Sequence, residues 1–284
     1  MKAVQIIELL ASPYKEKISS QNSTTNSESS KDFSMIEGIP IFLVGDTQQN
    51  FYEEFYQSQA EPWAYSGRAA EVLRHEYVAE QVKNIYQEKG RKLTILDLGC
   101  SLGHITERLH PYGETIVGLD ISLTAVAKAK KRCEEVVKGK DNPYQFIVAS
   151  CLELPFQENT FDVVIASDGI WGWFVEDTEK SKKAVAEIYK VLKDSGIVIH
   201  TDYLHPRKFA KFVQLTMSAP FQLIKEEPMY DRLWYRLESW TKSLQGFTWI
   251  KKLLANVGFA KKLRTLARLF GRNYSKHISV IAKK

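Results

Sequence analysis

The sequence predicts an α/β fold: a doubly wound, mostly parallel sheet with helices on both faces. Short apolar runs near 93–98, 115–120, 144–150, 161–167 and 196–203 are separated, for the most part, by helix-forming stretches near 102–110, 122–138 and 178–193. Strand, helix, strand in repeated order is the pattern of parallel crossovers. The first run, Thr94-Ile95-Leu96-Asp97-Leu98, leads straight into Gly99-Cys100-Ser101-Leu102-Gly103, a turn whose glycines let the backbone bend tightly and a ligand approach. A helix over 102–110 would then present its N-terminal amides to that ligand. The second run, Thr115 to Asp120, also ends in an acid, 23 residues after Asp97, where a carboxylate is placed to accept hydrogen bonds from both hydroxyls of a ribose.

The remaining elements follow in chain order. Residues 1–58 read as an N-terminal arm, with Ser19 to Lys31 a tract of Ser, Asn, Thr and Gln too polar to form a core and expected to be a disordered linker. Ile36 to Leu43 suggests a short strand. From Ala64 to Lys89 the apolar positions Ala69, Val72, Leu73, Val78, Val82 and Ile85 recur close to the helical period, and Gly90 stops the helix. Residues 59–284 form the principal domain. Within it, 204–245 is an aromatic-rich insertion after the fifth strand, at the carboxyl edge of the sheet where open α/β folds bind ligands, and so reads as a lid. Phe247 to Asn256 suggests a helix stopped by Gly258, followed by β-rich runs near 260–268 and 276–282.

Composition narrows the function. The chain is long enough, and at 44% apolar rich enough, to bury one full core. The net charge of +5 is concentrated at the end, where Lys251 to Lys284 holds ten Lys or Arg and no acid. Such asymmetry suits an anionic substrate, nucleic acid or a membrane surface, set against cations on solvated faces. Cys100, Cys133 and Cys151 offer no disulfide framework and no CxxC spacing. Val4 to Leu10 is too short and contains Glu8, so no signal peptide is expected, and no run approaches a membrane span. A cytoplasmic protein is the expectation.

The order Asp97-Leu98-Gly99-Cys100-Ser101-Leu102-Gly103, Asp120, Leu154-Pro155-Phe156 with Phe161-Asp162, and Val191-Leu192-Lys193-Asp194-Ser195-Gly196 resembles the class I S-adenosylmethionine-dependent methyltransferases. Their pattern runs DxGxGxG, an acid ending the second strand, an LPF…FD segment and VLKPGG. The resemblance covers roughly residues 60–284, and Glu61-Pro62-Trp63 through Glu71, Arg74 and His75 is similar to the NodS-like branch of small-molecule methyltransferases. It implies a Rossmann-like seven-stranded sheet closed by a C-terminal antiparallel hairpin, with S-adenosylmethionine as methyl donor. Leu9 to Lys15 with Glu37 to Leu43 resembles a zinc-ribbon-like module that precedes some relatives. Ser12 and Lys15 stand where its cysteines would be, so no metal is expected.

The resemblance also implies site residues. Asp97, Gly99, Ser101 and Gly103 would cradle the methionine part of the donor, Asp120 its ribose and Ile121 its adenine. Ser150 stands where many relatives carry an acid for the adenine amino group, and Cys100, Cys151, Leu152 and Ser167 would complete the lining. Arg74, with Arg68 in reserve, would lie near the donor's carboxylate. The acceptor would be held after the fourth and fifth strands by Trp171, Trp173 and Tyr203, with Asp168 or His205 removing a proton. The leading function is methylation of oxygen or nitrogen of a small molecule, including natural products, by a monomer or homodimer. An RNA methyltransferase using the basic end is the alternative, although no NPPY-like tetrad follows the fourth strand. A donor-binding pseudoenzyme is the other.

Overall fold

The computed structural model describes residue 6 and residues 8–11, 34–42, 47–138, 141–168, 176–244 and 246–284. Its centre is one sheet in the order β1-β2-β5-β4-β3-β6-β7-β9-β8. The five expected parallel strands are β3 (Leu93–Leu98), β4 (Gly113–Asp120), β5 (Tyr144–Val148), β6 (Phe161–Ser167) and β7 (Leu192–Tyr203). With β8 (Gln222–Pro228) and β9 (His277–Lys283) they make the seven-stranded core, and β1 (Ser34–Ile36) and β2 (Ile39–Ile41) extend its β5 edge. Successive side chains of each central strand bury on opposite faces, as a sheet covered on both sides requires. Leu96, Leu98, Val117 and Val164 pack on one face with α4 (Thr178–Val191) and α5 (Phe209–Thr216). Ile95, Ile116, Val163 and Ile165 pack on the other with α2 (Ala69–Lys89) and α3 (Leu123–Val137).

The end of the chain departs from expectation in detail. The antiparallel pair is present, but β9 pairs with β8, which lies inside the 204–245 stretch, and also with β7. Residues 260–268 are helical, within α8 (Val257–Arg268), because Ala260, Leu263 and Ala267 repeat at helical spacing and turn inward together. Gly258 lies inside that helix and stops nothing: Asn256 caps its start by accepting from Phe259 N at 2.8 Å. The helix expected over 102–110 shrinks to a 3₁₀ turn, Thr106–Leu109, since Gly103 is left-handed at φ 78° and Pro111 follows closely.

The aromatic residues of 204–245 divide. Phe209, Phe212 and Phe221 enter the main core, Trp234 and Tyr235 of α6 (Arg232–Trp240) form a smaller one with α7 (Thr248–Leu254) and α8, and Trp240 faces solvent. The tract 19–31 lies outside the described residues. Before it, Ile6 and Leu10 are fully part of the core, with Leu10 bridging Phe156 and Ala11 N bonding Pro155 O. The start of the arm therefore serves the main fold.

Candidate active site

The carboxyl ends of β3 and β4 build the first half of the site. Gly99 N and Cys100 N both donate to Leu119 O, at 2.8 and 2.9 Å, tying the turn after β3 to the neighbouring strand. Gly99, Ser101 and Gly103 are all left-handed, at φ 77°, 50° and 78°. Ser101 thus keeps the backbone of the glycine it replaces, at some steric cost. Gly103 is needed for space as well, since a Cβ there would stand 3.1 Å from Ala129 of α3. Asp120 Oδ2 accepts from Ser101 N at 2.9 Å and Oδ1 from Ser122 N at 3.0 Å, so one carboxylate braces both turns. Asp97 is buried and accepts from Thr106 Oγ1 at 2.5 Å; burial pushes its carboxyl up to about 6.

A helix that sequence reasoning left in the arm, α1 (Thr47–Ser58), lies over this half. Glu53 accepts from Ser122 Oγ at 2.7 Å and from Thr124 N at 3.2 Å. Burial works against its charge, but these bonds prevail and hold its carboxyl below the usual range. Tyr56 OH and Ser101 Oγ share a 2.7 Å hydrogen bond, and Trp63 Nε1 donates to Tyr56 OH at 3.2 Å. The Tyr52 phenol is pushed up to about 12 by burial, then by the charges of Asp120, Cys151 and Asp202. The aromatic pairs Phe51-Tyr52 and Phe55-Tyr56 recur four residues apart, and that spacing is the signal that could have revealed a helix with an aromatic face.

The second half is a chain of buried charges at the ends of β6, β7 and β9. Arg74 donates to Glu71 Oε2 from Nε and Nη2 at 3.0 and 2.9 Å, to Ser167 Oγ from Nη1 at 2.5 Å, and pairs with Asp168 Oδ2 at 2.9 Å. Thr201 Oγ1 also donates to Ser167 Oγ, and Tyr235 OH donates to Glu71 Oε1 at 2.6 Å. His277 donates from Nδ1 to Asp231 Oδ2 at 2.5 Å and from Nε2 to Asp168 Oδ2 at 3.3 Å. Glu71, Asp168 and His277 present ligand atoms within 4.8 Å of one another. The guanidinium of Arg74 already bridges the two acids, which marks an ion-pair network rather than a metal centre.

Burial alone would strip the proton from His277, but the carboxylates of Asp168 and Asp231 outweigh it and hold the imidazolium up to about 10. Its folded value lies above the ordinary 6.5, so the stability it contributes is complete below that value and is lost as pH rises through about 10. Thermal melts are expected to fall between these limits in the wild type, with a flatter decline in His277→Gln. An identical decline in both would remove His277 as the source. Asp168 is held low against burial by Arg74 and His277, whereas burial and the Asp168 charge push Asp202 well up. Asp168 Oδ1 and Asp202 Oδ2 are buried with no hydrogen-bond partner among the described residues.

The structure gathers Arg74, Ser167 and Asp168 into this network, and sets Asp120 against the backbone of Ser101 and Ser122. Arg74 is committed internally, so its guanidinium faces protein groups. Cys100 is buried beside Gly118, Ile121 follows Asp120 at the turn, and Ser150 is buried with its hydroxyl accepting from Leu152 N at 3.2 Å. Tyr203 is half-exposed and stacks edge-on to His277 and Tyr235. His205 is set apart, exposed among Arg207, Arg232, Lys276 and Lys208, where it accepts from Arg207 N at 3.2 Å. Trp171 and Trp173 lie outside the described residues. His277 was missed, although it pairs with Tyr203 across the sheet.

The sheet order, the glycine turn and the acid ending β4 define a Rossmann-like fold with a nucleoside-binding edge. Residues 96–200 match the family model described as a methyltransferase domain. The demethylmenaquinone methyltransferase of Lactococcus lactis is 29% identical over 192 residues, 65% of this chain and 69% of that protein. Nodulation protein S of Sinorhizobium fredii is 26% identical over 155 residues, 54% of this chain and 66% of that protein, so the chain spans about two thirds of the length of both. In fold it is similar to the N-methyltransferase NodS of Bradyrhizobium japonicum, solved with S-adenosylhomocysteine, with a TM-score of 0.56 at 13% identity over 84% of this chain and 99% of that one. Residues 96–200 carry a methyltransferase domain, and the relatives and the fold support a class I S-adenosylmethionine-dependent methyltransferase similar to NodS.

Proposed function

We propose that the protein methylates nitrogen of a small-molecule acceptor, with S-adenosylmethionine held at the turn from Asp97 to Gly103 and the acceptor against Asp168. The observation that carries this reading is the pair of buried, unpartnered carboxylate oxygens, Asp168 Oδ1 and Asp202 Oδ2. Asp168 Oδ1, on a carboxylate that Arg74 and His277 hold ionised, is a free acceptor for a ligand that brings an N–H group and positive charge, while the Asp202 carboxyl, pushed towards its neutral form, can offer an O–H as well. Asp120 stands at the strand end suited to the ribose of the donor. When bound, that donor supplies an already activated methyl group.

The chain's part is then to position, to exclude water and to stabilise charge. Tyr52 and Tyr56 roof the donor half, anchored through Glu53. Arg74 and His277 keep Asp168 ionised and fixed, so its free oxygen accepts from the acceptor nitrogen and stabilises the positive charge that nitrogen gains on alkylation. A hydroxyl acceptor would instead need a base, and a carboxylate held this acidic is a weak one.

Calorimetry with S-adenosylhomocysteine tests the donor half. Asp120→Ala is expected to bind about ten- to a hundredfold more weakly, the range for loss of a charged hydrogen-bond partner; unchanged affinity in the folded variant would move the donor elsewhere. Transfer from labelled donor to sets of amines and of alcohols tests the acceptor half. Turnover confined to alcohols would remove the nitrogen assignment.

A further inference from the structure

The turn between α6 and α7 carries a surface that methyl transfer does not use. Four large apolar side chains within ten residues face solvent there: Trp240 is 76% exposed, Leu244 43%, Phe247 58% and Trp249 62%. The local structure forces this. Ile250 and Leu254 turn inward to pack with Trp234 and Ala260, so the opposite side of the short helix α7, with Trp249, Lys251 and Lys252, must point out. Exposed apolar surface of this extent marks an interaction site.

The charge around it selects the occupant. Lys242, Lys251 and Lys252 flank the aromatic side chains, Lys262 follows on α8, and from Ser239 to Lys284 the sequence contains no Asp or Glu. Among the described residues none of these four lysines has a carboxylate partner. A second copy of the chain is disfavoured, because a two-fold contact would set this cationic patch against itself. Tryptophan and phenylalanine between lysines are the composition that seats at a bilayer interface, rings at headgroup depth and ammonium groups on anionic lipid. No helix among the described residues is long and apolar enough to cross a membrane, so the contact is peripheral.

We propose that the α6–α7 turn docks this protein on the surface of an anionic lipid bilayer, through Trp240, Phe247 and Trp249 with Lys242, Lys251 and Lys252. The docked face adjoins a groove of about 400 Å³ lined by Ala64, Gly67, Arg68, Glu238 and Lys251. Arg68 in that groove bonds Glu238 at 2.7 Å and reaches Glu71, so the membrane-facing surface and the buried charge network share one wall. The inference stands whether or not the acceptor atom is nitrogen.

Co-sedimentation of the full chain with vesicles decides it. Wild-type protein is expected to bind vesicles of phosphatidylcholine containing phosphatidylglycerol, to leave vesicles of phosphatidylcholine alone, and to be released by salt. Lys251→Glu with Lys252→Glu, and separately Trp240→Ser with Trp249→Ser, are each expected to weaken binding about tenfold or more. Unchanged affinity for S-adenosylhomocysteine in both variants shows that they remain folded. The proposal is overturned if the wild type ignores anionic vesicles, if uncharged vesicles bind equally, or if both variants bind like wild type. It is also overturned if the substitutions abolish a solution dimer or binding to an RNA oligonucleotide while vesicle binding is absent.

Discussion

Arg74→Met is expected to lower the free energy of unfolding by about 3–5 kcal/mol, the cost of removing one partner from a buried charge network. Arg74 is only 1% exposed, and its guanidinium is the sole group joining Glu71, Ser167 and Asp168 among the described residues. Methionine fills much the same volume but leaves two carboxylates facing one another across the space the cation held. One of them must then take up a proton or draw in water. Arg74→Lys keeps the charge and loses the planar fork, so it should fall between wild type and the methionine variant. Denaturant unfolding measures all three; a loss under about 1 kcal/mol for Arg74→Met would mean that the network contributes little.

Asp168→Asn is expected to slow methyl transfer about a hundredfold or more while leaving affinity for S-adenosylhomocysteine within a few-fold of wild type. The amide keeps the shape and still accepts from His277 Nε2, but it cannot offset a positive charge developing on nitrogen. Its left-handed backbone, φ 53°, is one that asparagine tolerates, so folding should survive. The substitution also removes one of the two acids that hold His277 protonated, and the imidazole should titrate lower, a change visible by NMR. A loss of donor binding equal to the loss of rate would place Asp168 with the donor; an unchanged rate would take it out of the reaction.

The parallel core was legible because most central strands are short runs rich in Val, Ile and Leu, several of them ending at glycine or an acid, and the longer helices between them keep the 3.6-residue period. The glycine turn and Asp120 were legible for the same reason, as local pattern and local chemistry coincide there. What escaped depends on partners distant in the chain. β8 reads Gln-Leu-Ile-Lys-Glu-Glu-Pro, mostly exposed at the sheet edge, and so lacks the apolar run that identifies a central strand. In 260–268 the helical spacing of Ala260, Leu263 and Ala267 is carried by small and few apolar residues, and packing on α2 and α6 completes the helix. His205 is near the right strand end in sequence yet turns outward with a 3₁₀ turn, whereas His277 arrives at the same edge because β9 runs antiparallel. A strand of opposite direction contributes its first residue, rather than its last, to the carboxyl edge.

The place of β9 also governs how the molecule can be assembled. β9 lies between β7 and β8, and among the described residues β8 pairs with no other strand. While a chain is being synthesised, β8 emerges some fifty residues before the strand that seats it, and β7 keeps an open edge for the same interval. Two unpaired edges on a nascent chain invite pairing with other chains. Lys225, Glu226, Glu227 and Pro228 crowd β8 with charge and end it in a residue that has no amide proton to donate, so the waiting strand is a poor template for a stranger. The ribosome must deliver residues 277–283 before the sheet closes and His277 reaches Asp168, and closure of the fold and completion of the charge network are therefore one event.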